Sequence, residues 1–128
     1  MKIHDLLFEG KVTPDLLDKF LRHCSQELDL DSLPEINLVD NKEYSLKNKS
    51  FGGYMPGAKS IILSTDGRHP VDIFRTLAHE LTHFKQDLLG DLEGDDVGET
   101  GSPQENEANA MAGIIMRNFG RKYPEVFA

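Results

Sequence analysis

The stretch Phe74-Arg75-Thr76-Leu77-Ala78-His79-Glu80-Leu81-Thr82-His83-Phe84 decides the reading of this chain. It lies between the turn-like Asp66-Gly67-Arg68-His69-Pro70 and about Leu89, and Phe74, Leu77, Ala78, Leu81, Phe84 and Leu88 recur along one helical stripe. The spacing predicts a helix. Within it, His79-Glu80-Leu81-Thr82-His83 is a His-Glu-x-x-His pattern, which chance alone would give in roughly one or two sequences per hundred of this composition. Residues four apart share a helix face, so both imidazoles can reach one metal ion, while Glu80 can address a metal-bound water without ligating the metal. The stripe centred on Phe74, Leu77 and Leu81 leaves His79 and His83 on roughly the opposite side, facing something other than the main core.

A catalytic zinc site has three protein ligands and an open fourth position. No third histidine lies nearby downstream; the chain offers Glu105 and Glu107 on a helix predicted from Ser102-Pro103 to about Phe119, with Gly120 as its stop. Ala108, Met111, Ala112, Ile115, Met116 and Phe119 define the inward face, and Glu105 lies nearer its centre, which makes it the better ligand and Glu107 the second choice. Asn109, one turn on, is placed to hydrogen-bond an imidazole ligand. Ser102-Pro103-Gln104-Glu105 also reads as a capping box, in which Glu105 would only reach back to the backbone of Ser102.

The first helix is scaffold. Thr13-Pro14-Asp15 starts an amphipathic helix running to about Leu28, with Leu17, Phe20, Leu21, Cys24 and Leu28 on its buried face. Strands are expected at Glu35 to Val39, Phe51 to Tyr54 and Ser60 to Ser64, the last two joined as an antiparallel hairpin, with Gly52 and Gly53 marking a bulge or a close backbone approach. Gly90 to Gly101 reads as a mobile acidic loop. Its run from Asp87 to Glu99 fits a calcium-binding loop poorly, so a solvated lid is the expectation.

With 128 residues and 38% hydrophobic content, a single domain spanning 1–128 is expected. The formal charge of -8 would repel a phosphate backbone, so nucleic acid is not an expected partner. The lone Cys24 cannot form an internal disulfide, and no apolar run is long enough for a membrane span or a signal-peptide core. A cytoplasmic protein without membrane association is the expectation.

On these residues the chain resembles a minimal gluzincin, the zinc metallopeptidases that pair His-Glu-x-x-His with a glutamate on a later helix. It is closer to the short ImmA/IrrE-type peptidases, because Gly53-Tyr54, Ile61-Ile62-Leu63, Arg75-Thr76-Leu77-Ala78 and Glu105-x-x-Ala108-Asn109-x-x-Ala112 occur in that order. The likeness covers roughly Phe51 to Met116. It implies an α+β, zincin-like fold with a small, twisted, mostly antiparallel sheet and three main helices. It also implies zinc held by His79, His83 and Glu105, Glu80 as general base, and a peptide or protein substrate paired with Ser60 to Ser64 or its hairpin partner. Tyr54, His69, Arg117 and Tyr123 are candidates for stabilising the developing oxyanion. The rival from another class is a catalytically silent, zinc-stabilised binding or regulatory module, which would have no need of Glu80.

Overall fold

A computed structural model of the protein describes residues 12–40, 52–92 and 101–127. Three helices, α1 (Pro14–Leu28), α2 (Pro70–Leu88) and α3 (Pro103–Lys122), accompany three strands, β1 (Glu35–Val39), β2 (Gly52–Met55) and β3 (Ser60–Ser64), and a 3-10 turn follows at Pro124–Phe127. Each helix starts on the device its sequence announces. Thr13 caps α1, His69 caps α2 and Ser102 caps α3, each followed by a proline and each with an acid in the first turn. The architecture is α+β.

The helices meet through one phenylalanine apiece. Phe20 of α1 stacks on Phe74 of α2 with ring centroids 4.4 Å apart, and Phe119 of α3 meets both edge-on, at 5.0 and 6.0 Å. All three are fully buried. Cys24 packs beside them, and burial pushes its thiol up, which suits a packing side chain and not a nucleophile. No helix among the described residues is long and apolar enough to cross a membrane.

The sheet corrects the expectation of a mostly antiparallel arrangement: its order is β1-β3-β2, with β1 parallel to β3 and β2 antiparallel to it. The reason lies in β3. Its Ser60, Ile61, Leu63 and Ser64 are buried, so it takes the covered central position, and the chain reaches the far edge as β2 before returning between its neighbours. Sequence adjacency exposes only the hairpin pairing. A second correction follows, because β3 has a neighbour on each side and cannot accept an extended peptide; among the described residues β2 and β1 are the edges.

Of the two strand glycines, Gly52 is the close approach. A β-carbon there would lie 2.9 Å from Thr76 Cγ2 and 3.0 Å from the Ile62 carbonyl oxygen, whereas nothing crowds Gly53, and the register runs through without a bulge. Two other expectations change. Leu88 is exposed, since the helix has by then run past the core. Gly120 does not stop α3; it lies inside the helix, where the Phe127 ring occupies the space a β-carbon would need. Phe51 and most of the acidic loop, at 93–100, lie outside the described residues, and Asp87 belongs to α2 and not to the loop.

His23, buried beside Phe119, leaves its Nε2 without a hydrogen bond and 3.6 Å from Glu27 Oε1. Burial lowers its pKa against the pull of Glu27, so the fold favours the neutral ring. That contribution is present above the unfolded pKa of about 6.5 and is lost as pH falls below it. Urea denaturation at pH 7 and pH 5 should therefore show a smaller acid loss of stability in His23→Leu than in the parent chain. Gly52→Ala should destabilise the fold by about 1–3 kcal/mol in the same assay at pH 7, because the new methyl must push β2 off α2.

Candidate metal centre

His79 and His83 stand one turn apart on α2, and Glu105 comes to them from the first turn of α3. His83 Nε2 lies 2.8 Å and His79 Nε2 3.2 Å from Glu105 Oε2, and the two nitrogens are 3.2 Å apart. Among the described residues these three form a group whose donor atoms all lie within 4.8 Å of one another. Ligands about 2.0–2.1 Å from a tetrahedral ion sit roughly 3.3 Å from each other, so small outward shifts would fit the trio around one divalent cation. Two imidazoles and a carboxylate suit zinc.

The chain also fixes how His83 presents its lone pair. Gln86 Nε2 donates to the Gln104 carbonyl at 3.0 Å and to Glu107 Oε1 at 2.8 Å, both of which only accept. Its Oε1 therefore faces His83 Nδ1, 2.7 Å away, and can only receive a proton from it. With the proton on Nδ1, the neutral ring offers Nε2 as the ligand atom. This is the role the sequence reading missed; the one signal was the spacing, which sets Gln86 three residues after His83 and so on the same side of the helix. Asn109 does for the other imidazole what was expected of it, sharing a hydrogen bond with the His79 ring.

Glu107 is thus occupied in holding Gln86, and Glu105 is the carboxylate brought to the histidines. The capping geometry is present too, since the Glu105 backbone N–H donates to Ser102 Oγ at 3.1 Å, but the Glu105 side chain does not serve the backbone alone. Burial, outweighing the Glu105 charge, lowers the pKa of His79 and keeps a ligand-competent ring neutral.

Glu80 is buried, with Oε1 3.9 Å from His79 Nε2. Burial first, then the Glu105 charge, push its carboxyl up to about 7, against His83 and a hydrogen bond donated by the Tyr54 backbone N–H. A carboxyl so held can exchange a proton near neutrality. Around it opens a cleft of 310 Å³ lined by Gly52, Arg75, Thr76, His79, Glu80, Asn109 and Ala112.

None of the four side chains considered for the oxyanion is brought here. The Tyr54 hydroxyl donates to Asp87 Oδ2 at 2.6 Å, and burial and that bond raise its pKa. His69 is spent as the cap of α2, its Nδ1 accepting from the Val71 N–H, about 15 Å along the helix axis from His79. Arg117 and Tyr123 belong to the opposite end of α3, where Tyr123 packs on Phe119. Compared with known proteins, the chain matches no family model, no curated protein and no solved structure.

Replacing Gln86 with Met should leave the helical circular dichroism signal intact while weakening zinc binding by about 10- to 100-fold, because His83 loses the acceptor that selects its tautomer. Competition with a chromogenic chelator measures this, and unchanged affinity would contradict the assigned role.

Proposed function

We propose that the protein is a zinc-dependent metallopeptidase of the minimal gluzincin kind that its sequence resembles. The observation that supports this best is the meeting of His79 Nε2, His83 Nε2 and Glu105 Oε2 at one point, with the carboxyl of Glu80 beside them at the wall of a cleft. A site with only a structural task gains nothing from a second, buried carboxyl that makes no ligand contact. It loses stability from the desolvation.

When bound, zinc would lower the pKa of a coordinated water toward about 7 and polarise the scissile carbonyl. The remaining work belongs to the chain. Glu80, ionised, accepts a proton from the attacking water as its oxygen joins the carbonyl carbon, and returns that proton to the amine nitrogen as the C–N bond breaks. The Tyr54 N–H favours the ionised form and fixes the carboxyl's direction, while burial favours return of the proton. Gln86 and Asn109 orient the two imidazoles.

A His79→Ala, His83→Ala double variant should lose the stoichiometric zinc that the parent chain holds at about one ion per molecule. Glu80→Gln should keep zinc and fold but cut peptide hydrolysis by at least about 10²- to 10⁴-fold, since an amide cannot take the water proton. Metal analysis and a screen of unstructured peptides for new termini test both. Zinc retained by the double variant would refute the site. Cleavage by Glu80→Gln at the parent rate would refute the mechanism, and a zinc-loaded parent that binds peptides without cutting any would favour a silent binding module.

A further inference from the structure

Next to the cleft beside the metal centre is a second cavity of 510 Å³ lined by Asp66, Gly67, Arg68, Asp72, Arg75 and Thr76. Arg75 and Thr76 belong to both. The two arginines along this groove differ in what they already do. Arg68 is consumed by the fold, donating from Nη1 to the Ser64 carbonyl at 2.9 Å and from Nη2 to the Asp72 carbonyl and Thr76 Oγ1 at 2.8 and 2.6 Å. Arg75 is exposed and, among the described residues, makes no hydrogen bond or ion pair. It is a charged fork between the two cavities, its donors unspent on any described residue.

We infer that Arg75 anchors a carboxylate of the peptide held in this groove, an inference that takes the peptide itself from the metallopeptidase reading above. Arg75 precedes His79 by four residues, so it lies on the same face of α2, about 6 Å along the axis from the metal centre. An extended peptide advances about 3.3 Å per residue, which puts the anchored group within two residues of the scissile bond. A guanidinium matches a carboxylate with two parallel N–H donors. The exposed acids Asp66 and Asp72 line the far cavity, so the preference is for one carboxylate and not for an acidic tract. That carboxylate is either an Asp or Glu side chain or the C-terminus of a short peptide.

The test uses zinc-loaded Glu80→Gln, which holds peptides without consuming them. Fluorescence anisotropy would measure its affinity for labelled unstructured peptides that carry Glu, Gln or Lys at successive positions, each with a free or an amidated C-terminus. One Glu position or the free terminus should tighten binding about tenfold over its neutral counterpart; which of the two does so identifies the source of the carboxylate. Adding Arg75→Gln should remove that preference, Arg75→Lys should keep part of it, and Arg75→Glu should turn it toward Lys, with zinc content and circular dichroism unchanged. The assignment is overturned if the Arg75→Gln background shows the same charge preference, or if no peptide gains from a carboxylate. Cleavage by the chain with Glu80 intact is scored separately. Arg75-dependent binding without any cleavage would remove the peptidase reading alone, and cleavage without charge preference would remove the Arg75 assignment alone.

Discussion

Bringing Glu105 Oε2 within hydrogen-bonding reach of two imidazoles on another helix requires α2 and α3 to hold one mutual position, although the chain between them supplies no regular element among the described residues. Gln86 answers that requirement directly. It reaches from α2 to the Gln104 carbonyl and Glu107 on α3, and with its remaining oxygen it faces His83. One buried amide therefore ties the packing of the helices to the orientation of a ligand. The phenylalanine trio sets the same helix pair against α1 at the other side of the core. An unpaired amide at the Gln86 position would be costly to bury, so the network is held by the same energetics that keep the core closed.

The charges of the centre are arranged against one another. Glu80 and Glu105 are two carboxylates in one partly buried place, which raises the pKa of the former, and His79 is kept neutral by burial despite the nearby acid. A cation would relieve both tensions at once, drawing on the nitrogen lone pairs and offsetting the negative charge. Asp87, by contrast, is half-buried, and its carboxyl is pulled below the ordinary carboxylate range by Lys59 and Tyr54.

What the sequence disclosed was whatever depends on local spacing. The bounds of α1 and α2, the strand limits at Glu35–Val39 and Ser60–Ser64, and the pairing of His79 with His83 follow from periodicity, caps and turns that are read within a few residues. The choice of Glu105 over Glu107 was also legible, because an apolar face orders two acids two positions apart. Strand order was not: the parallel pairing of β1 with β3 depends on which strand is covered on both sides, a property of the assembled fold. Gly120 misled for a related reason, since a glycine that makes room for a ring folded back from Phe127 looks in sequence like one that ends a helix. Gln86 and Arg75 were hidden oppositely. The first is polar but fully buried, and the second is charged and exposed, yet distinguished from other surface arginines only by the groove it lines.

Asp87 has a further consequence through what it holds. Its Oδ2 accepts from the Tyr54 hydroxyl on β2 and, at 2.5 Å, from Lys59 Nζ at the foot of β3, so both arms of the hairpin are moored to the last turn of α2. Tyr54 meanwhile reaches the middle of that helix through its backbone N–H at Glu80. Hairpin and helix therefore form one cooperative unit, in which lifting the edge strand strips the acid of its donor and frees its neighbour's mooring in the same event. A partly opened molecule of this kind would retain its aromatic core and most of its helix while having no organised acid to present. The edge of the sheet and the surroundings of Glu80 thus share a single strand, so that neither can be rearranged without the other.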